Sequence, residues 1–79
     1  MPRYFFNVSD REFPPDREGI ELESPAKARQ EAVKAVGDML EDFDGALWRG
    51  AEWRMHVTDE HGATVCFLTI RGEVGKPPI

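Results

Sequence analysis

Only one stretch of this chain, Ser24 to Gly45, has a helical period, and the segments on either side of it alternate. A single helix can bury only one face of a sheet, so a fold made from these parts leaves the other face for something else to cover. Ser24 suits the N-cap, where its hydroxyl accepts from an orphan N–H of the first turn, and Pro25 suits the first helical position, where no N–H is needed. At about 100° per residue, Ala28, Ala32, Ala35, Val36, Met39 and Phe43 project from one side with Val33 and Leu40 beside them. Lys27, Gln30, Lys34, Asp38 and Glu41 fall opposite. Gly45 is expected to end the helix by taking positive φ.

Before the helix, Arg3 to Val8 alternates Tyr4, Phe6 and Val8 with Arg3, Phe5 and Asn7, which predicts a first strand. Ser9 to Gly19 is rich in proline and charge and reads as a connection, with its acids Asp10, Glu12, Asp16 and Glu18 solvated. They lack the oxygen-ligand spacing of a calcium loop. Gly19 to Glu23 predicts a short second strand. After the helix, Glu52 to Thr58 sets Trp53, Met55 and Val57 on one face, and Asp59-Glu60-His61-Gly62 reads as a turn. Ala63 to Ile70 predicts a fourth strand that is apolar on both faces, Cys66, Leu68 and Ile70 on one and Val65 and Phe67 on the other.

The expected fold is therefore α+β, a ββαββ unit with a four-stranded, mainly antiparallel sheet over residues 1–71 and a flexible tail at 72–79. Phe5, Val65 and Phe67 are expected on the face the helix leaves open, as a candidate interaction surface.

At 79 residues the core yields only a few kcal/mol net, and with Cys66 as the sole cysteine no intrachain disulfide can add to it. Self-association or a protein partner is the expected source of further stability. A net charge of −5 without a dense basic run disfavours duplex nucleic acid and anionic membranes. No apolar run approaches a membrane span of roughly 18 residues and no signal-peptide pattern opens the chain, so a cytoplasmic location is expected. Lys27 and Arg29 near the helix start and Asp38, Glu41, Asp42 and Asp44 near its end oppose the macrodipole.

Residues that invite catalysis are few. Cys66 is expected in the core while His56 lies on the opposite face, so no nucleophile and base are paired. The His-x4-His-x4-Cys spacing of His56, His61 and Cys66 does not match a zinc site, and no phosphate loop or dinucleotide fingerprint occurs. The expectation is a non-enzymatic domain with no cofactor and no metal. Two alternatives from other classes stand beside it: a small-ligand binder or minor enzyme using His56, Asp59 and His61, and a single-strand nucleic-acid binder using Arg3, Tyr4 and Phe5.

Met1-Pro2-Arg3-Tyr4-Phe5-Phe6-Asn7-Val8, Asp16-Arg17-Glu18-Gly19-Ile20-Glu21-Leu22 and Val57-Thr58-Asp59-Glu60-His61-Gly62 together resemble an uncharacterised family of small bacterial proteins. Its members open with Pro-Arg-Tyr-Phe-Phe and carry an Asp/Glu-Glu-Gly-x-Glu-Leu step before the helix. The resemblance implies the order of elements and no activity. A looser fold-level likeness to the N-terminal domain of HicB-type antitoxins implies pairing with a protein partner or with itself.

Overall fold

The computed structural model describes residues 1–9, 14–50 and 52–75, with the backbone alone at residues 43 and 44. It contains β1 (Arg3–Val8), β2 (Ile20–Glu21), α1 (Pro25–Trp48), β3 (Glu52–Asp59) and β4 (Thr64–Arg71). The strands form one antiparallel sheet in the order β2-β1-β3-β4, so the fold is α+β with the expected ββαββ succession. Because β2 and β3 are both antiparallel to β1, they run in the same direction, and α1 crosses over the first strand to join them.

Ser24 caps α1 as its sequence predicts, its Oγ accepting from the Lys27 N–H at 3.2 Å. The other end departs from expectation. Gly45 stays helical, and the helix continues to Trp48 because Leu47, only 8 % exposed, prolongs the buried stripe by a turn. The Arg49 N–H then donates to the Ala46 carbonyl and the Gly50 N–H to the Leu47 carbonyl, and Gly50 at φ +96° supplies the left-handed residue that Gly45 was expected to provide. The Arg49 guanidinium lies back over the last turn, 3.5 Å from where a Cβ on Gly45 would sit. That cation faces the partly negative helix end, which the acids around it do not favour.

Fully buried Ala28 and Ala32 allow α1 to approach the sheet closely, where they meet Tyr4, Met55 and Val57. Phe6, Val8, Leu22, Ala35, Val36, Met39, Val65, Cys66 and Leu68 pack around this cluster, so these positions follow periodicity except Val65, while Val33 beside the helix stripe is exposed. Leu40 lines a small apolar cavity of ≈ 10 Å³ with Val36, Met39, Trp53 and Ile70. The Phe43 and Asp44 side chains, the Phe13 loop and the end of the tail at 76–79 lie outside the described residues. Gly72 is held against the helix end, with a Cβ there falling 2.8 Å from Leu47 Cγ.

The connection between β1 and β2 is organised by one carboxylate. Asp16 Oδ2 accepts from the Phe6 N–H at 3.0 Å, and its Oδ1 accepts from Glu18 and Gly19 N–H at 3.1 and 3.0 Å. The Asp16 N–H in turn donates to Asn7 Oδ1 at 2.9 Å. β2 spans only Ile20 and Glu21, against the longer strand expected from Gly19 to Glu23, so it cannot pair with β1 beyond Tyr4. The Asp16 side chain takes over where the strand stops. Partial burial alone raises its pKa, but the bonds from Gly19, Phe6 and Glu18 outweigh that and hold the carboxyl below its ordinary 3.8. Asp16 is thus not the freely solvated acid its loop composition suggests. Gly19 beside it has φ +68°, and a Cβ there would lie 2.8 Å from Arg3 Cγ and from the Tyr4 carbonyl oxygen, so only glycine fits.

Candidate interaction surface

The sheet face opposite α1 is set by the register. Phe5 lies across from Thr58, Asn7 across from His56, and His56 across from Phe67, with Arg54 and Thr69 paired one step further on. Alternation in β3 places Arg54, His56 and Thr58 here because Trp53, Met55 and Val57 are taken by the core.

Phe67 is the centre of this face. It is 51 % exposed, its ring stacks on His56 with centroids 4.3 Å apart and planes 14° from parallel, and the Arg54 guanidinium carbon sits 4.9 Å from its centroid. The His56 Nε2 is 2.8 Å from Thr64 Oγ1, which fixes the imidazole against the ring. Arg54 is anchored through its backbone, the Arg54 N–H donating to Ser9 Oγ at 3.0 Å and the Arg54 carbonyl accepting from Ser9 N–H at 2.9 Å. Asn7, Val8, Ser9, Arg54, His56 and Phe67 line a shallow groove of ≈ 290 Å³.

Phe5 is also on this face, half-buried, with its ring edge 3.0 Å from the Cβ position of Gly19, so it covers the turn that Asp16 builds. Val65 is not on it. The ladder steps from Val57↔Cys66 to Thr58↔Thr64, which leaves Val65 as the extra residue of a bulge. Its side chain turns to the helix side and packs against the core. Strict alternation along β4 cannot reveal that inserted residue, and the expected trio reduces to Phe5 and Phe67.

The chemistry-bearing residues remain apart. Asp59 Oδ1 accepts from His61 and Ala63 N–H at 2.8 and 2.9 Å, so this carboxylate closes its own turn. The His61 ring is exposed at the hairpin tip, 3.9 Å from Glu60, and Cys66 sits on the core side. Among the described residues no group of three or more His, Cys, Asp or Glu is placed to hold a metal. Of the Arg3, Tyr4 and Phe5 set, Tyr4 is 2 % exposed in the core, and Arg3 pairs with Glu21 at 3.0 Å, so the three do not share a face. The residue that sequence reasoning missed is Arg54. Its signal was available: a cation two places before His56 on the strand face that the core does not use.

Among the described residues no helix is long and apolar enough to cross a membrane. No curated protein and no solved structure matches the chain. A family model described as a domain of unknown function (DUF6894) matches residues 3–71, which takes in every strand and the helix, and the chain belongs to that family.

Proposed function

We propose that this domain is a small non-enzymatic, cytoplasmic interaction module that associates with a second copy of itself through the Phe67 side of its sheet. The observation that carries the reading is Phe67 itself, half-exposed yet packed against the His56 ring and Arg54 on a face that no helix covers among the described residues. An aromatic ring already ordered in the free domain loses little freedom on contact. The face also carries both signs, Arg3, Arg54 and Arg71 against Glu21 and Glu52, so two copies can meet without like-charge repulsion. Covering the exposed half of one phenyl ring contributes about 2 kcal/mol per protomer. A lone cysteine, in place of the paired cysteines usual in small secreted domains, supports the cytoplasmic location.

Sedimentation velocity over a range of concentrations tests the reading. The expected result is a sedimentation coefficient that rises with concentration for the native chain and stays at the monomer value for Phe67→Glu. A monomer at every concentration, with no difference between the two chains, overturns it.

A further inference from the structure

The two edges of the sheet are unequal. One edge is β2, two residues long, carrying Glu21 and followed at once by the turn into the helix cap. The other is β4, eight residues of sequence Thr-Val-Cys-Phe-Leu-Thr-Ile-Arg, with no proline and no charge before Arg71. Natural sheets blunt a long edge with charges, proline or a covering segment. Among the described residues the only such device is the bulge at Val65, at the start of the strand, and the ladder from Cys66 to Arg71 is regular. Among the described residues nothing pairs with its outer side, where alternate residues present unpaired N–H and C=O groups. Such groups are satisfied by another extended backbone.

We propose that β4 pairs antiparallel with β4 of a second copy, about a two-fold axis at Thr69, giving one continuous eight-stranded sheet. This rests on the reading of the domain as self-associating, but sets the contact at the sheet edge beside Phe67 rather than over the Phe67 face. A two-fold that relates antiparallel neighbours stands perpendicular to the sheet, so both helices lie on one side and both Phe67 faces on the other. Opposed residues must share a face, which restricts the axis to a residue of the strand. Centring on Thr69 keeps the ladder within 67–71, clear of the bulge. It sets Thr69 against Thr69, Leu68 against Ile70, and Phe67 against Arg71 of the other copy. Hydroxyl with hydroxyl, aliphatic with aliphatic and aromatic with cation are all favourable cross-strand pairs. Phe67 already has Arg54 over its ring within its own chain, and the second copy would bring another guanidinium beside it. The surface is therefore composite, and each protomer presents half of it.

Cysteine crosslinking of the full-length chain separates edge pairing from face-to-face packing. Directly opposed residues of an antiparallel ladder have Cα atoms about 4.5–5.5 Å apart, within disulfide reach, whereas packed sheets lie about 10 Å apart. In a Cys66→Ser background, Thr69→Cys is expected to form a disulfide-linked dimer under mild oxidation and Phe5→Cys, two strands in from the edge, is not. Thr69→Lys and Thr69→Glu should each sediment as monomers, and an equimolar mixture should recover the dimer. Thr69 is exposed, and thermal melts of each variant check that the domain still folds. Association that persists in both charged variants, with no crosslink at position 69, overturns the edge geometry and leaves the self-association reading standing. A native chain that is monomeric at every concentration overturns both.

Discussion

Replacing Asp16 by Asn tests whether one side chain stands in for the missing length of β2. The amide keeps an oxygen for Glu18 and Gly19 N–H but turns an NH2 group toward the Phe6 N–H, donor against donor, and removes the charge from the other two bonds. A bond to a charged group contributes about 1.5–3 kcal/mol when buried, and partial exposure of this loop lowers that, so the expected loss is about 1–2 kcal/mol. Against a total of roughly 4–12 kcal/mol for a domain of this length, that is a large share, equivalent to a fall in melting temperature of about 5–15 °C. The pH dependence is the sharper readout. The folded carboxyl titrates below 3.8, so the unfolded chain binds the proton more readily. Its contribution is complete above the unfolded pKa and is lost as pH falls through the folded value. Urea unfolding at pH 7 should show the full gap between the two chains, and at the lowest pH where both still fold cooperatively the gap should shrink. An equal gap at both pH values, or none at pH 7, would refute the account.

The glycines give a paired test by thermal melting: Gly37→Ala, in the helix with no atom within 4 Å of its Cβ position, should raise stability by about 0.5–1 kcal/mol, while Gly19→Ala should lower it by more than that. Equal effects would show that the turn at Gly19 is not strained. Ala32→Leu should cost about 1–3 kcal/mol in urea unfolding, because the helix touches the sheet there and added methylenes have no space. A neutral result would mean that the helix rides higher than the structure has it. Cys66, packed against the core, should react slowly with a thiol reagent in the native state and quickly in denaturant; fast native labelling would place it on the surface.

Local chemistry made much of this fold legible in the sequence, and long-range pairing hid the rest. Ser24 and Pro25 mark the helix start because a cap is decided by its immediate neighbours. The helix end is not legible at Gly45 because a helical glycine costs only about 1 kcal/mol, which burial of Leu47 offsets, and only tertiary packing shows that burial. The side taken by Val65 is hidden for a related reason: a bulge is a property of two strands, and alternation describes one. Asp16 could have been found. Asp16-Arg17-Glu18-Gly19 and Asp59-Glu60-His61-Gly62 repeat one pattern, and in both the carboxylate accepts from the backbone two residues on, beside a glycine at positive φ. Of the candidate surface, Phe67 and Phe5 were legible as apolar residues out of phase with the core, whereas the stacking of His56 and the approach of Arg54 needed the register across strands.

The first strand lies inside the sheet, and this sets how the chain must assemble in time. β4 can fold onto β3 across a short turn, with Thr64 meeting Thr58, but β1 can meet β3 only by joining Phe6 to Val57, far along the chain. Closing the longer loop costs about 2 kcal/mol more in chain entropy than closing the hairpin. During synthesis β1 leaves the ribosome long before its partner, with β2 able to cover one of its edges for two residues only. The other edge waits for β3. Conditions that delay this one distant pairing leave the facing edges of Arg3–Val8 and Glu52–Asp59 unpaired and open to aggregation.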